Sequence, residues 1–414
     1  MRTTMATENN NKTLNVPNKR EQSQTCLSYA ERKEQSPQGN VPNLRFPEFS
    51  GEWTKTLLNN YLEENKERNK RGIFTKNNVL SVSGDFGIVN QIELLGRSFA
   101  GKSVLDYHVV RAGNIVYTKS PLKEYPYGIV KVNGGVDGIV STLYAVYKVK
   151  ETANGKFVEY YFGLPNRTNR YFKPIVRIGA KHDMKIGNDE VLANYVVFPC
   201  VDEQKRISDF ICLLDERIAT QIKIIEDLKK LKSAIRTKVF KQLESNCECW
   251  TEIGNMLQYE QPSKYLVAST EYSDSYATPV LTANKAFILG YTDEEFGIYS
   301  KGECVIFDDF TMDVKFVNFP FKVKSSAIKI LTSNSGNDLY FVYEYLQNLG
   351  LVSEEHKRHY ISEIEPMIVA YPTFEEQQNI SNLLRSFDSK IEYANRELTL
   401  YNKQKQYLLS QMFI

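Results

Sequence analysis

Residues 197–240 read VFPCVDEQKRISDFICLLDERIATQIKIIEDLKKLKSAIRTKVF, and residues 370–413 read AYPTFEEQQNISNLLRSFDSKIEYANRELTLYNKQKQYLLSQMF. Laid over one another without a gap, the two stretches share a plan. Pro199 meets Pro372, and Glu203-Gln204 meets Glu376-Gln377. Ile207, Asp215, Ile218 and Phe240 meet Ile380, Asp388, Ile391 and Phe413. A repeat of such long period constrains architecture more than any single residue, because each copy is one structural unit. The chain is two halves, each closing on the same kind of element.

The period inside each copy says what that element is. Counting by sevens from Ile207 gives Leu214, Gln221, Leu228 and Ile235; from Ile211 it gives Ile218, Ile225, Lys232 and Val239. The second copy keeps the frame with Ile380, Phe387, Ala394, Tyr401 and Leu408, and with Leu384, Ile391, Leu398, Lys405 and Met412. Apolar a and d positions held over about five heptads predict a coiled coil rather than an ordinary surface helix. Helices are expected over 201–244 and 374–414. Each starts a few residues after a proline, with an acidic pair (Asp202-Glu203, Glu375-Glu376) where negative charge meets the helix dipole. Lys232 and Lys405 fall on the same d slot, where they are expected to face each other or to extend outward to water.

Fainter echoes precede the helices. Trp53-Thr54 is matched by Trp250-Thr251, VLSVS at 79–83 by PVLTA at 279–283, and GNIVYTKS at 113–120 by GECVIFDD at 302–309. STLYAVYKV at 141–149 then answers SSAIKIL at 325–331, and FVEYYF at 157–162 answers FVYEYL at 341–346. Alternating β-branched and aromatic residues predict strands, the aromatic stretches a short helix, and the Gly, Asn and Asp clusters tight turns. Each half is thus a mixed α+β domain of ordinary size.

Bulk properties exclude several classes. The 414 residues suffice for two cores, and a 42% hydrophobic, 12% aromatic composition is that of a folded chain. No apolar run approaches the roughly 20 residues of a membrane span, and no secretory signal opens the sequence. Residues 1–42 are polar and are expected to form a flexible leader. The six cysteines follow no disulfide framework, and Cys247-Glu248-Cys249 lacks a second ligand pair; a reduced, cytoplasmic setting is expected.

A net charge of +2 decides nothing about nucleic acid, but its distribution is uneven. Lys119, Lys123, Lys131, Arg167, Arg170, Lys173, Arg177, Lys181 and Lys185 crowd the first half, interleaved with Tyr125, Tyr127, Tyr171 and Phe172. Such interleaving suits a phosphate-tracking surface, though a solvated face looks the same. Lys357-Arg358-His359-Tyr360 holds the place in the second half that Lys181-His182 holds in the first.

Motifs of catalysis are missing. The run Gly134-Gly135-Val136-Asp137-Gly138 has no phosphate-loop lysine, the four histidines are scattered, and no methyltransferase signature occurs. Asp309 with Asp313-Val314-Lys315 imitates a nuclease triplet, but its carboxylates are too close in sequence for the usual strand-to-strand arrangement.

The order globule, long helix, globule, long helix, with Pro-x-x-x-Glu-Gln opening both helices, resembles the specificity subunit of type I restriction–modification enzymes. The lead-in Pro42-Asn43-Leu44-Arg45-Phe46-Pro47-Glu48-Phe49 with Gly51-Glu52-Trp53 is similar to the start of that family's first recognition domain. So is the core run from Gly113 to Pro121 with Asp137 to Tyr144. The resemblance covers residues 42 to 414. It implies an α+β fold with two similar target-recognition domains, 43–200 and 245–373, separated by two long helices forming an antiparallel coiled coil in a pseudo-two-fold internal repeat. It implies no catalysis in this chain, a bipartite asymmetric target in double-stranded DNA, and two modification and two restriction subunits as partners. S-adenosylmethionine, ATP and Mg would belong to those partners. About 36 helical residues at 1.5 Å each give a ruler of roughly 54 Å, compatible with reading edges about one DNA turn apart.

Direct readout calls for short-stemmed donors and acceptors on loops. The candidates are Lys119, Ser120, Arg167, Asn169, Arg170, Lys181 and His182 in the first domain, and Asn284, Lys285, Asp308, Asp309, Thr311, Lys357, Arg358 and His359 in the second. Asp308 and Asp309 either accept from cytosine amino groups or cap a turn. Two other readings stay open: a coiled-coil scaffold that never touches DNA, and a divergent nuclease or methyltransferase.

Overall fold

The computed structural model describes residues 39–101, 103–121, 125–178, 184–282, 287–353 and 357–414. The chain separates into two compact units. Unit 1 is Met1–Ser208 with Leu408–Ile414, and unit 2 is Asp209–Tyr407.

Unit 1 is built on an antiparallel four-stranded sheet in the order Leu62–Glu64, Ala145–Val149, Ile115–Tyr117, Val130–Val132. Unit 2 repeats that order with Leu257–Glu260, Ile328–Ser333, Cys304–Asp308 and Val314–Val317. Ile115, Val116 and Tyr117 are wholly buried, as β-branched and aromatic residues of a central strand should be. The glycines before the two central strands, Gly113 and Gly302, have φ of +82° and +102°, a region that other residues enter only with strain.

Sequence identity misplaces one pair. Strand Thr54–Leu57 pairs with Tyr195–Phe198, and Trp250–Glu252 pairs with Ile368–Ala370. Leu58 N donates to Asn194 O at 3.0 Å and Ile253 N to Met367 O at 3.0 Å, which fixes the correspondence of the units. In that register Trp250 answers Lys55, not Trp53. Burial agrees: Trp53 is 1% exposed and Trp250 50%. The expected match of the two Trp-Thr pairs is therefore corrected; pairing register, not residue type, sets equivalence.

The repeated Gln has a clear task. In unit 1 Gln204 donates from its side chain to Pro199 O (2.9 Å) and accepts from Asn154 N (2.9 Å). In unit 2 Gln377 donates to Pro372 O (3.1 Å) and accepts from Asp338 N (2.9 Å). Asn154 and Asp338 are the N-caps of the short aromatic helices Gly155–Tyr161 and Leu339–Asn348. The motif thus fastens the first turn of each long helix to the cap of an aromatic helix. The neighbouring glutamates differ. Glu203 takes a bidentate contact from Arg45 (2.7 and 2.7 Å) and one from Trp53 Nε1 (3.2 Å), whereas Glu376 caps Thr373.

The repeated Phe fills the same place in each core. In unit 1 Phe413 lies 5.0 Å from Phe157 and 6.5 Å from Trp53, ring to ring. In unit 2 Phe240 lies 5.5 Å from Phe341 and 4.7 Å from Tyr345. Residues 1–38 of the expected leader lie outside the described residues. Its end is docked, since Pro42 is buried and Asn40 O accepts from Trp53 N at 2.7 Å.

The long helices run Val201–Asn246 and Phe374–Met412. Within unit 2 they are antiparallel, for as numbers rise along one they fall along the other. Lys405 pairs with Asp215, Arg217 donates to Tyr401 OH (2.8 Å), Gln221 Nε2 to Ala394 O (3.0 Å), and Lys232 Nζ lies 2.6 Å from Asp388. Ile211, Leu214, Ile225, Leu384 and Phe387 are buried, and Ile218, Leu228, Ile380, Ile391 and Leu398 half-buried, as the heptads require. In unit 1, Ile207 and Leu408 are buried too. The d-slot lysines neither face each other nor reach for water. Each bonds the aspartate that the repeat places on the opposite helix.

One buried group gives unit 1 a pH signature. His108, on strand His108–Val110, is 2% exposed. Burial, with Arg68 and Lys119 nearby, pushes its imidazole down from 6.5 to about 4. The neutral ring is favoured by folding, so its stabilisation is complete above pH 6.5 and is lost as pH falls toward 4. We expect the urea midpoint to drop over that window and His108→Gln to flatten the drop. An equal drop in the variant would sink the assignment.

Candidate nucleic-acid interface

The structure scatters the residues singled out from sequence, and buries several. Arg167 sits on helix Pro165–Phe172 and donates to Leu409 O (3.3 Å), Phe413 O (2.7 Å) and Ile414 O (3.0 Å), close against the Phe413 ring. Burial lowers its pKa to about 10. These carbonyls end the second long helix, so Arg167 caps that helix and is not offered to a ligand, a correction to its place among the base readers. On the same helix Asn169 is half-buried and Arg170 stands exposed.

Lys119 has a positive φ of 49°. Its ammonium bonds Asn188, and burial lowers its pKa. Ser120 turns back onto Thr118 O at 3.3 Å. Both are half-buried at the end of the central strand. Lys131 pairs with Glu159 and Arg177 with Glu190, while Tyr171 and Phe172 are core. Lys123, Lys181, His182, Asn284 and Lys285 lie outside the described residues.

In unit 2 Asp308 takes the turn-capping alternative, while Asp309 is structural in another way, binding the backbone of a distant segment. Asp308 Oδ1 accepts from Phe310 N (2.9 Å) and Thr311 N (3.3 Å). Asp309, 2% exposed, accepts from His359 N (3.1 Å) and Tyr360 N (2.9 Å), with Lys329 at 3.6 Å. The nuclease triplet dissolves as well, since Asp313 lies at the surface on Lys315. His359 is also internal, its ring nitrogens 2.9 Å from Ser353 Oγ and 2.9 Å from Glu363. Asp308, Asp309 and His359 are thus corrected to structural roles. They brace the turn and the following segment against each other, and leave Thr311, Lys357 and Arg358 exposed on that rim. Lys357 pairs with Glu363 at 3.0 Å.

Sequence reasoning passed over residues 65–78, NKERNKRGIFTKNN. Five cations against one acid are the densest positive run in the first sheet domain, and the structure puts Lys66, Lys70, Arg71 and Lys76 at the surface. The signal was in the charge pattern. It lacks the aromatic interleaving found between Lys119 and Lys185.

This architecture is one already solved. The fold is that of type I restriction–modification specificity subunits. The S subunit of M. genitalium matches with a TM-score of 0.57 over 90% of this chain and 99% of its own, at 15% identity. A chain from a type I system solved for its complex assembly and conformational transition matches at 0.52, over 87% and 97%, at 14% identity. In sequence, the chain is 40% identical over 176 residues to the EcoR124I/EcoR124II specificity subunit of Escherichia coli, 39% of this chain and 44% of that one. It is 24% identical over 254 residues, 52% and 57%, to a putative MjaX specificity subunit of Methanocaldococcus jannaschii. The chain spans about half the length of the curated relatives it matches. No family model matches the sequence. The resemblance carried by the repeated helices is met both in sequence and in fold.

Proposed function

We propose that this chain is the DNA sequence-specificity subunit of a type I restriction–modification complex, reading a bipartite asymmetric target and tethering modification and restriction subunits. One observation carries the reading: a duplicated frame bears two unlike surfaces. The four-stranded sheets share one strand order, and the helix starts share one Gln clasp, while the loops above them differ in charge and chemistry. Identical loops would suit a palindrome; unlike loops suit two different half-sites. The 40% identity to a curated specificity subunit supports it.

In this reading the chain performs no bond chemistry. S-adenosylmethionine, ATP and Mg serve two modification and two restriction subunits, and the complex works in the cytoplasm. Among the described residues no helix is long and apolar enough to cross a membrane.

The test is to co-express the chain with a type I modification subunit in a host lacking its own, and to map methylated bases in the genomic DNA. A split motif with two defined parts is expected, absent without this chain. Methylation without sequence preference, or none from a complex that assembles, would overturn the reading in favour of a scaffold.

A further inference from the structure

We infer that the loop between the edge strand and the next strand of each unit, residues 65–78 in unit 1 and 266–277 in unit 2, is the edge that distinguishes DNA sequence. The inference rests on the DNA-reading function proposed above and says which residues perform it.

The two loops hold the same place in the frame. The first leaves strand Leu62–Glu64 and ends at Leu80–Ser83; the second follows strand Leu257–Glu260 and the short turn Pro262–Tyr265 and ends at Thr278–Leu281. Each is pinned by a buried polar group, though not the same one. In unit 1 the pin is Asn69, 3% exposed. Its amide donates to Phe74 O (2.7 Å) and Val104 O (3.2 Å), and its carbonyl accepts from Phe74 N (3.0 Å). Its own backbone N donates to Tyr107 O at 3.0 Å. One side chain therefore closes residues 69–74 into a ring, turned at Gly72 (φ +67°) and seated on the small core of Val79, Val104, Val109 and Ile139.

In unit 2 the pin is a buried ion pair. Lys322 is 0% exposed, with Nζ 2.6 Å from Glu294 and 2.7 Å from Phe296 O. Glu294 in turn accepts from Ala268 N (3.0 Å) and Ser269 N (2.7 Å). Farther along, Tyr272 presses on Gly290, where a Cβ would meet it at 2.7 Å. Loops are mobile unless their backbone groups are partnered, and fixed loops on a rigid sheet are where recognition residues sit.

What the pins present differs. The ring in unit 1 offers Lys70, Arg71 and Ile73 to solvent, Ile73 being 66% exposed. Lys70 is drawn to Asp106, and Arg68 bonds Asp106 O at 3.0 Å. Arg71 points from the ring with no such tie among the described residues. An exposed arginine on a fixed turn suits the O6 and N7 acceptors of guanine. The unit 2 loop carries no Lys or Arg between 265 and 284. It carries Ser269, Thr270, Tyr272, Ser273, Ser275 and Tyr276 with Glu271 and Asp274, a hydroxyl and carboxylate set that can read base amino groups. Unlike half-sites follow.

The experiment uses the full chain with its modification subunit and the host genome as DNA. Arg71→Ala, and separately Thr270→Ala with Ser275→Ala, alter exposed side chains, so assembly should survive; co-purification with the modification subunit checks this. Arg71→Ala is expected to make at least one base of one half-site degenerate and leave the other half intact. The unit 2 variant is expected to change only the other half. Motifs identical to wild type in both variants would overturn the inference and leave the function standing. A wild-type complex with no motif would instead sink the function.

Discussion

Glu344→Ala is expected to destabilise unit 2 by about 3–5 kcal/mol, the range for removing one partner of a buried ion pair. Glu344 lies on the aromatic helix Leu339–Asn348 with its side chain 0% exposed. Lys232 Nζ is 2.6 Å from one carboxylate oxygen and Arg236 3.2 Å from the other. Without it Lys232 keeps, among the described residues, Asp388 (2.6 Å) and Tyr340 OH (3.2 Å), while Arg236 stays half-buried and loses its carboxylate. The loss is large because the stranded cations stay desolvated, not because the intact network is worth so much. Denaturant unfolding followed by circular dichroism measures it. A loss under about 1 kcal/mol would show that water reaches the site and screens it.

Phe240→Ala and Phe413→Ala should each cost about 3–5 kcal/mol, as do other aromatic-to-alanine changes in closed cores. Phe240 is 0% and Phe413 3% exposed. Phe413 also carries the Arg167 clamp, whose contact at Phe413 O is 2.7 Å. Alanine keeps that carbonyl but removes the ring beneath the guanidinium. Leucine at either site should recover most of the loss, because volume and apolar character matter more here than ring geometry. If alanine costs the same as leucine, the surrounding aromatic side chains have closed over the space.

The fold was readable where the physics is local. Period decides a coiled coil, and the a and d residues need nothing but their spacing to be placed. Strand order was half readable: the glycine-led strands and aromatic helices recur in order, yet the Trp53 and Trp250 match failed because register depends on which strand each edge meets. Contacts made across the chain were not readable. Gln204 meets a residue 50 positions away, Gln377 one 39 away, and Arg167 carbonyls 242 to 247 away. The site fared worst for a related reason. Asp308, Asp309 and His359 are the right residue types for recognition, but type does not reveal burial: Asp308 is taken up by amides of its own turn, Asp309 by the amides of His359 and Tyr360, and the His359 ring by Ser353 and Glu363. The loop at 65–78 was visible as charge; that it is pinned by Asn69 was not.

The bridges of the long helices have a symmetry of their own. Asp215 and Lys232 lie on one helix, Asp388 and Lys405 on the other, and each acid binds the base of its opposite. Gln221 touches Ala394, the position that replaces it in the repeat. Either helix therefore carries both the lock and the key, and the seam is an isologous homodimer contact enclosed in a single polypeptide. Such a seam is interchangeable: a half taken from a sister gene would bring its share of the fastening with it. The loops at 65–78 and 266–277 take no part in that fastening, so either can change its side chains without disturbing the seam.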